Sequence, residues 1–301
     1  MSTYETEAVE KFKLSGKILR EAREEIKRFV QEGMLIIDVC EKAEELVKNK
    51  GAKPAFPCNV SINEVAAHYT SPPYDKRTIP ESSVVKVDLG AHIDGYVTDT
   101  AVTICFNREY GDLVAASESA LKAAMDSVEP GVSTSKLGSV IEKAVKTRGF
   151  KPISNLTGHE VSRYVLHTGT SIPNVSQFSL AKLKLGGVYA IEPFVTLPDA
   201  AARVEDGDES TIYRLMKPRP VKNTYAKQLL KYIEENFRSL PFAERWLLGV
   251  VPEPHRKEAF NDVLASKALM CYPIFVEASR KVVAQAEHTV MVTKDGCLVL
   301  T

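Results

Sequence analysis

The chain has 301 residues, of which 44% are hydrophobic and 26% charged, a balance typical of a globular protein with an ample core. Its 39 basic and 39 acidic residues give zero formal net charge, which argues against nucleic acid or an anionic membrane as the main partner. No apolar run reaches the ~20 residues that span a bilayer, and no secretory signal is visible. The five cysteines are scattered without a Cys-x-x-Cys pair, which predicts reduced thiols in a cytoplasmic protein.

The first half of the chain predicts helices that flank a pair of long strands. Helical spacing of apolar residues indicates four helices, over 5–31, 35–50, 111–128 and 134–148. Residues 54–62 look extended, and Pro54 at their start favours an edge strand. Two strands rich in β-branched residues are predicted within 84–105, and short strands and loops are predicted over 150–195.

The segment 197–270 differs in character from the strands before and after it. Helices are predicted here over 223–238, 241–248 and 254–270. The chain then closes with strands between 272 and 300, which could share a sheet with the earlier strands. The sequence therefore predicts a domain made of 1–196 and 271–301, interrupted by an inserted helical subdomain at 197–270.

The two long strands carry the most informative residues, Asp88 and Asp99. Asp94-Gly95 between the strands is a strong signal for a two-residue hairpin turn, because both turn residues need φ > 0. With that turn, Asp99 lies opposite Gly90 and on the same face as Asp88, roughly 7 Å away at the backbone. Two carboxylates on an apolar face repel each other and resist desolvation, unless a cation lies between them. A solvated acidic strand face is the alternative.

Further candidate ligands lie in three other stretches. His159 and His167 each lie within two positions of a glycine, and Glu192 and Glu287 stand in strands that read as buried. Taken singly, each residue could have a purely structural role, as a packed histidine or as a glutamate in a salt bridge. Together, two Asp, two Glu and one His suit two divalent ions such as Mn, Fe or Co, and suit structural zinc poorly. His92, near the hairpin turn, is predicted to be exposed.

These residues resemble a known family. The order Asp88, Asp99, His159, Glu192 and Glu287 is similar to the five metal ligands of the methionine aminopeptidase and prolidase superfamily. The stretches 56–64 and 66–70 resemble the approach to the active site in methionine aminopeptidases. The spacing of 95 positions between the two glutamates resembles the type II enzymes, which carry a helical insert there. With no basic or Cys-rich extension expected before the first helix, the chain resembles their short archaeal form.

The resemblance implies an α+β pita-bread fold, a central antiparallel sheet flanked by helices, and removal of the N-terminal methionine from nascent chains before a small second residue. It implies two divalent ions (Co, Mn, Fe or Zn), with Asp88 on one, His159 and Glu192 on the other, and Asp99 and Glu287 bridging them. Water activated between the ions would attack the scissile carbonyl. Three residues would act in catalysis: His68, His167 and Glu192. The methionine side chain would contact Phe56, Leu166 and Tyr272, and His68 and His167 would also bind substrate.

Two other interpretations stay open from the sequence. The first is a prolidase or aminopeptidase P of the same fold, although only 87 residues precede Asp88 and two helices and a strand already occupy them. The second is an inactive binding protein of this fold, although such a protein should lose ligands or gain basic tails. The expected partners are nascent polypeptide N-termini and, transiently, the ribosome, with no nucleic acid or membrane required and a monomeric chain.

Overall fold

The structure, a computed structural model, describes residues 6–301. Its helices are α1 (Thr6–Phe29), α2 (Ile36–Asn49), α3 (Gly111–Met125), α4 (Thr134–Thr147), α5 (Thr224–Phe237) and α6 (Glu253–Ala265). Its strands are β1 (Lys53–Pro54), β2 (Asn59–Ile62), β3 (Val65–Ala67), β4 (Val84–Ile93), β5 (Tyr96–Cys105), β6 (Lys151–Pro152), β7 (Thr157–Val161), β8 (Ser171–Pro173), β9 (Val188–Ile191), β10 (Phe194–Thr196), β11 (Val204–Leu215), β12 (Phe242–Ala243), β13 (Leu269–Glu277), β14 (Val283–Gln285), β15 (Glu287–Thr293) and β16 (Gly296–Val299). None of these helices is both long and apolar enough to cross a membrane.

A nine-stranded antiparallel sheet forms the centre of the fold. Its order is β1-β4-β5-β15-β9-β7-β8, with β2 also paired to β4 and β16 to β15. Helices α1 and α2 pack against alternate residues of β4, among them Val87 and Leu89. Helices α3 and α4 share a second core with Val290 and Val292 of β15. Since side chains alternate along a strand, Asp88 and Asp99 point away from α1 and α2. This arrangement confirms the predicted α+β pita-bread class.

The predicted hairpin is confirmed, including its register. Strands β4 and β5 pair Gly90 with Asp99, and the turn is Asp94-Gly95. Both turn residues have positive φ, 50° and 89°, as a two-residue hairpin of this type requires. The turn chemistry and the β-branched strands thus fix which residues share the face with Asp88.

The segment after residue 196 contains more strand than the sequence predicted. Residues 204–215 form the twelve-residue strand β11, which pairs with β12 and β13, and β3 completes this four-stranded sheet. The helices predicted at 223–238 and 254–270 are confirmed as α5 and α6, whereas the helix predicted at 241–248 is wrong: residues 242–243 form β12 and 244–247 a short 3-10 helix. No strand was predicted where β11 lies. Strand β11 escaped detection because it is acidic and mostly exposed in its first half, so it lacks an apolar period. The domain boundaries at 196 and 271 stay a prediction.

A buried ion pair fastens this segment to the N-terminal helices. Arg245 donates from Nη2 to Oε1 of Glu44 on α2, and from Nη1 to Thr70 Oγ1 at 2.8 Å. The same carboxylate accepts the indole N–H of Trp246 at 2.6 Å and the backbone N–H of Cys58 at 3.1 Å. One carboxylate therefore joins α2, the segment before β2 and the turn after β12.

Replacing Glu44 by Gln should destabilise the protein by about 3 kcal/mol, because Arg245 would be left as a buried charge without its counter-charge. Chemical denaturation of the purified variant measures the change. Glu45→Gln is the matched control: Glu45 pairs with Lys42 on the exposed face of the same helix, and its loss should cost less than about 1 kcal/mol. Equal stability losses in the two variants would contradict the anchoring role of Glu44.

Candidate active site

Four carboxylates and one imidazole meet on the open face of the central sheet. Ligand atoms of Asp99, His159 and Glu287 lie within 4.8 Å of one another. His159 Nε2 is 3.6 Å from Asp99 Oδ2 and 3.5 Å from Glu192 Oε1. Asp88 joins them, since it lines the same cavity as Asp99, His159 and Glu192. The structure thus brings together all five residues that the sequence nominated as metal ligands.

Strand order explains how distant residues meet. Strand β15 lies between β5 and β9, and Glu287 pairs with Ala101, two residues from Asp99. Strand β7 pairs with β9 on its other side, which brings His159 opposite Ala190, two residues before Glu192. Three adjacent strand pairings therefore place all the donors in one cluster.

The charges of this cluster have no cationic side chain to balance them. Within residues 6–301, no lysine or arginine forms an ion pair with any of the four carboxylates. Oxygen atoms of Asp88, Asp99 and Glu287 are buried without a hydrogen-bond partner. Buried polar groups normally find partners, so these orphaned oxygens are available as ligands for a cation.

Burial raises the pKa of Asp99 to about 7. Burial, followed by repulsion from neighbouring carboxylates, raises the pKa values of Asp88, Glu192 and Glu287 well above their ordinary range. Carboxylates with raised pKa values and no internal counter-charge fit one or more divalent cations, because a cation supplies the missing charge and ligands together. The donor set, four carboxylates and one imidazole, therefore fits the metal that the sequence implied.

Several supporting residues of the site were missed in the sequence. Thr289 Oγ1 accepts from the backbone N–H of Asp99 and donates to its carbonyl, both at 2.8 Å. Gln285 Nε2 lies 3.4 Å from Asp88 Oδ2 and 3.5 Å from Glu192 Oε2. Strand alternation offered a signal for Thr289, which stands two positions after Glu287 on the same face.

His68 and His167 both line the cavity that contains the carboxylates. The ring centroid of His167 is 4.2 Å from that of His159. His68 adopts a left-handed backbone conformation, with φ of 66°, which is uncommon for a non-glycine residue and frequent at functional sites. Its Nδ1 lies 3.3 Å from the carbonyl oxygen of Pro273. A carbonyl only accepts, so Nδ1 carries the hydrogen and Nε2 of the neutral ring is free to accept.

Burial lowers the pKa of His68 to about 4 and that of His167 to about 3. Nearby positive charge acts in the same direction on His167, from His159 and Arg214. Both imidazoles are therefore neutral near pH 7. His68 can accept at Nε2, and His167 can donate from one ring nitrogen and accept at the other.

The three apolar residues predicted to contact the substrate also line this cavity. Phe56, Leu166 and Tyr272 form part of its wall, together with residues that the sequence did not nominate: Asn59, Ala67, Ile212 and Pro241. Phe56 packs directly over Gly90, where an added methyl group would lie 2.2 Å from the ring. The absence of a side chain at Gly90 therefore leaves room between Asp88 and Asp99 and lets the ring of Phe56 pack against the strand.

His92 is buried, so its predicted exposure is wrong. Only 7% of the residue is accessible. Its Nδ1 accepts the backbone N–H of Gly95 at 3.0 Å, and its ring contacts Tyr164 edge-on, with 5.6 Å between the centroids. The turn position suggested exposure, but the side chain folds back beneath the turn.

Comparison with known proteins agrees with this geometry. The model of metallopeptidase family M24 matches residues 10–212. The methionine aminopeptidase of Methanocaldococcus jannaschii is 41% identical over 297 residues, covering 99% of both chains. Two solved structures share the fold: a thermophilic Arx1 (TM-score 0.82, 19% identity, 99% of this chain and 91% of that chain) and the methionine aminopeptidase of Thermotoga maritima (TM-score 0.72, 23% identity, 99% and 98%).

The family match extends over most of the chain and includes the hairpin, His159 and Glu192, while the full-length relative also spans Glu287. Family membership and the buried donor set agree on the use of divalent metal. The chain therefore belongs to metallopeptidase family M24 and, within this pita-bread family, to the methionine aminopeptidases.

Proposed function

We propose that the chain is a type II methionine aminopeptidase that removes the N-terminal methionine from nascent proteins and peptides, with preference for a small second residue. The observation that carries the proposal is the cluster of four buried carboxylates and one imidazole, without a cationic partner, in a cavity with an apolar wall. The insert between Glu192 and Glu287, which contains α5 and α6, supports the type II assignment.

Two divalent ions, of Co, Mn, Fe or Zn, would be held by the five donors. Asp88 would bind one, His159 and Glu192 the other, and Asp99 and Glu287 both. When bound, such ions supply Lewis-acid polarisation of the scissile carbonyl and a water of lowered pKa. The orphaned oxygens of Asp88, Asp99 and Glu287 support this ligand set.

The chain's own residues would then handle the proton and the substrate amide. The carboxylate of Glu192 would take a proton from the attacking water and pass it to the leaving amine. Nε2 of neutral His68 would accept the N–H of the substrate amide, since its Nδ1–H faces Pro273. His167, whose ring lies beside that of His159, would donate to the substrate oxygen as negative charge develops there.

Selectivity for methionine would come from the wall formed by Phe56, Leu166 and Tyr272. An unbranched thioether packs well against aromatic rings, but a pocket of this kind separates Met from Leu or Ile by only about 1–3 kcal/mol. Ile212 of β11 and Pro241 before β12 bring the insert to the cavity, which supports its role in restricting the second residue.

The partners follow from this substrate. The chain would bind the N-termini of nascent polypeptides and would contact the ribosome transiently. It would act as a monomer in the cytoplasm, with no need for nucleic acid or a membrane. A prolidase or aminopeptidase P activity is the alternative enzyme, and an inactive binding protein of this fold is the alternative class. The retained set of five donors and two cavity histidines favours the aminopeptidase over the binding protein.

Peptide cleavage tests the proposal directly. The purified protein would be stripped with chelator, restored with Mn or Co, and mixed with Met-Ala-Ser, Leu-Ala-Ser or Ala-Pro-Ser. We expect metal-dependent release of Met, with the Leu peptide about 10- to 100-fold slower, because one side-chain pocket sets the difference. Cleavage of Ala-Pro-Ser alone would assign the chain to the prolidase branch, and no cleavage with any metal would favour the binding protein.

Replacing Asp99 by Asn serves as the internal test of the bridging role. Activity should fall at least about 10³-fold, because a shared ligand is lost. The rise in melting temperature on adding metal should shrink as well, while the fold persists by circular dichroism. Asp112→Asn, at an exposed position in the first turn of α3, should change neither property. Full activity of Asp99→Asn would contradict the assignment.

Replacing Gly90 by Ala should lower kcat/KM for Met-Ala-Ser by about tenfold, because the added methyl displaces the ring of Phe56. Metal affinity should stay within about twofold, since no donor changes. Gly111→Ala is the matched control, because a methyl there has no heavy atom within 4 Å. Unchanged kcat/KM in Gly90→Ala would remove Phe56 from the wall of the methionine pocket.

The stability gained on adding metal should grow as the pH rises from 6.5 to 7.5. In the metal-free folded protein the raised pKa values keep the carboxylates protonated near pH 7. In the unfolded chain the same carboxylates have already lost their protons at this pH. Metal must displace the protons of the folded protein, so its stabilisation increases with pH by about 1.4 kcal/mol per pH unit for each proton displaced. The cavity histidines do not contribute in this window, since their pKa values lie near 4 or below.

Chemical denaturation at several pH values, with and without Mn, measures this gain. Subtracting the unfolding free energy without Mn from that with Mn at each pH cancels the contribution of groups that titrate far from the site. Asp99→Asn should show a shallower slope because one proton fewer is displaced. A gain independent of pH would mean that the carboxylates are already ionised before metal binds.

A further inference from the structure

A second cavity lies behind the wall of the active-site cavity. It holds about 350 Å³, within the ~300–1,000 Å³ range of small-molecule sites. It is formed between the start of β1, the end of β4, helix α5 and the turn after β12. Its lining residues are Lys48, Lys53, Pro54, His92, Tyr232, Asn236, Phe237, Leu240, Pro241 and Trp246.

The two cavities share a wall. His92 stands on the same face of β4 as Asp88, four residues and so ~14 Å further along the strand. Gly90 lies between them, covered by the ring of Phe56, and Leu240 packs in one cluster with Phe56. Pro241 lines both cavities. The second cavity is therefore adjacent to the catalytic site but contains none of its ligands.

The charged side chains that line the second cavity are those of Lys48 and Lys53. No aspartate or glutamate lines it. Lys48 and Lys53 are both exposed, and neither forms an ion pair with a carboxylate in residues 6–301, whereas other lysines do. Lys48 acts only at longer range on the buried carboxylate of Glu44, whose pKa its charge lowers. His92 Nδ1 accepts from Gly95, so the neutral ring bears its hydrogen on Nε2. Two unpaired ammonium groups in a cavity without carboxylates favour an anion.

The electrostatics of His92 report the same positive potential. Burial lowers its pKa to about 4; the charge of Lys53 acts in the same direction, the charge of Asp94 opposes it, and the charge of Arg238 contributes least. The side chain of His92 therefore lies within reach of the charge of Lys53.

The remaining wall is aromatic. Phe237 contacts Trp246 with 5.5 Å between ring centroids and Tyr232 with 5.9 Å. Trp246 is held in place by the hydrogen bond from its indole N–H to Glu44. Fixed aromatic rings at these spacings favour a planar partner, because offset and edge-on ring contacts add to the burial of apolar area.

We propose that this cavity binds a small aromatic anion, a planar ring that bears a phosphate or a carboxylate, with the ring against Tyr232, Phe237 and Trp246 and the anion at Lys48 and Lys53. The site is separate from the metal cluster and does not depend on the peptidase activity.

Trp246 makes the test direct, because it is the only tryptophan of the chain. The full-length protein with Mn would be titrated with AMP or nicotinate, and the tryptophan emission recorded. Equilibrium dialysis gives the bound fraction independently of the emission. Adenosine and nicotinamide are the matched neutral ligands, and inorganic phosphate is the anion without a ring.

We expect saturable binding of AMP, nicotinate or both, with Kd below ~1 mM, and at least about tenfold weaker binding of the neutral partner and of phosphate. Binding of one alone would identify the acid group that the site takes. The double variant Lys48→Gln/Lys53→Gln should weaken the binding about tenfold. The control pair Lys227→Gln/Lys231→Gln, on the exposed side of α5, should bind as the unchanged protein does.

Three results would overturn the proposal. The first is no saturable binding of either anion up to ~10 mM by dialysis, a range that covers weak small-molecule sites. The second is equal affinity in the cavity variant and in the control variant, because it would place the ligand elsewhere, for example at the metal ions. Equal affinity for AMP and adenosine, and for nicotinate and nicotinamide, would likewise exclude an anion site.

Discussion

Four carboxylates share one buried cluster in this protein, and their mutual repulsion is the constraint on which the rest of the structure depends. No lysine or arginine of the described chain approaches them as an ion-pair partner, and several of their oxygens have no hydrogen-bond partner. The fold therefore maintains an arrangement that is unfavourable without added cations and favourable with them. The paired strands of the central sheet hold these groups close together, and the hydrogen bonds of Thr289 to the backbone of Asp99 fix the position of that residue.

The two faces of the central sheet have different roles. The helices cover one face of the central sheet with apolar side chains and supply most of the burial, while the opposite face carries the charged groups. The insert closes the open side, and it is fastened by Glu44 and Arg245 at one end and by the β11–β13 pairing at the other. The four carboxylates and His159 thus lie on the sheet, while Ile212 and Pro241 of the separately fastened segment complete the cavity wall.

The placement of Asp88 and Asp99 was predictable from the sequence because its signals are local. The hairpin turn fixes their register, and strand alternation puts them on one face. The roles given to His159, Glu192 and Glu287 came from the family resemblance, because no local pattern shows which distant strands pair. Strand β11 could not be predicted in this way, because its stability comes from pairing with distant strands and not from its own acidic residues. His92 was misjudged for a related reason: burial of a side chain near a turn depends on what packs over it, here Tyr164 and the insert. Gln285 and Asn59 escaped notice because an amide carries no local signal of what it faces.

The position of Glu287 along the chain has a consequence for the order of events during synthesis. Its strand, β15, lies between β5 and β9, so the central sheet is split until the last part of the chain is in place. Before β15 is translated, the earlier donors lie on two groups of strands with no strand between them, and Glu287 is absent from the cluster. Since contacts between residues so far apart in sequence form late, the cluster is completed only after residue 287 has emerged from the ribosome. During its own synthesis the chain thus lacks the full donor set until β15 is in place.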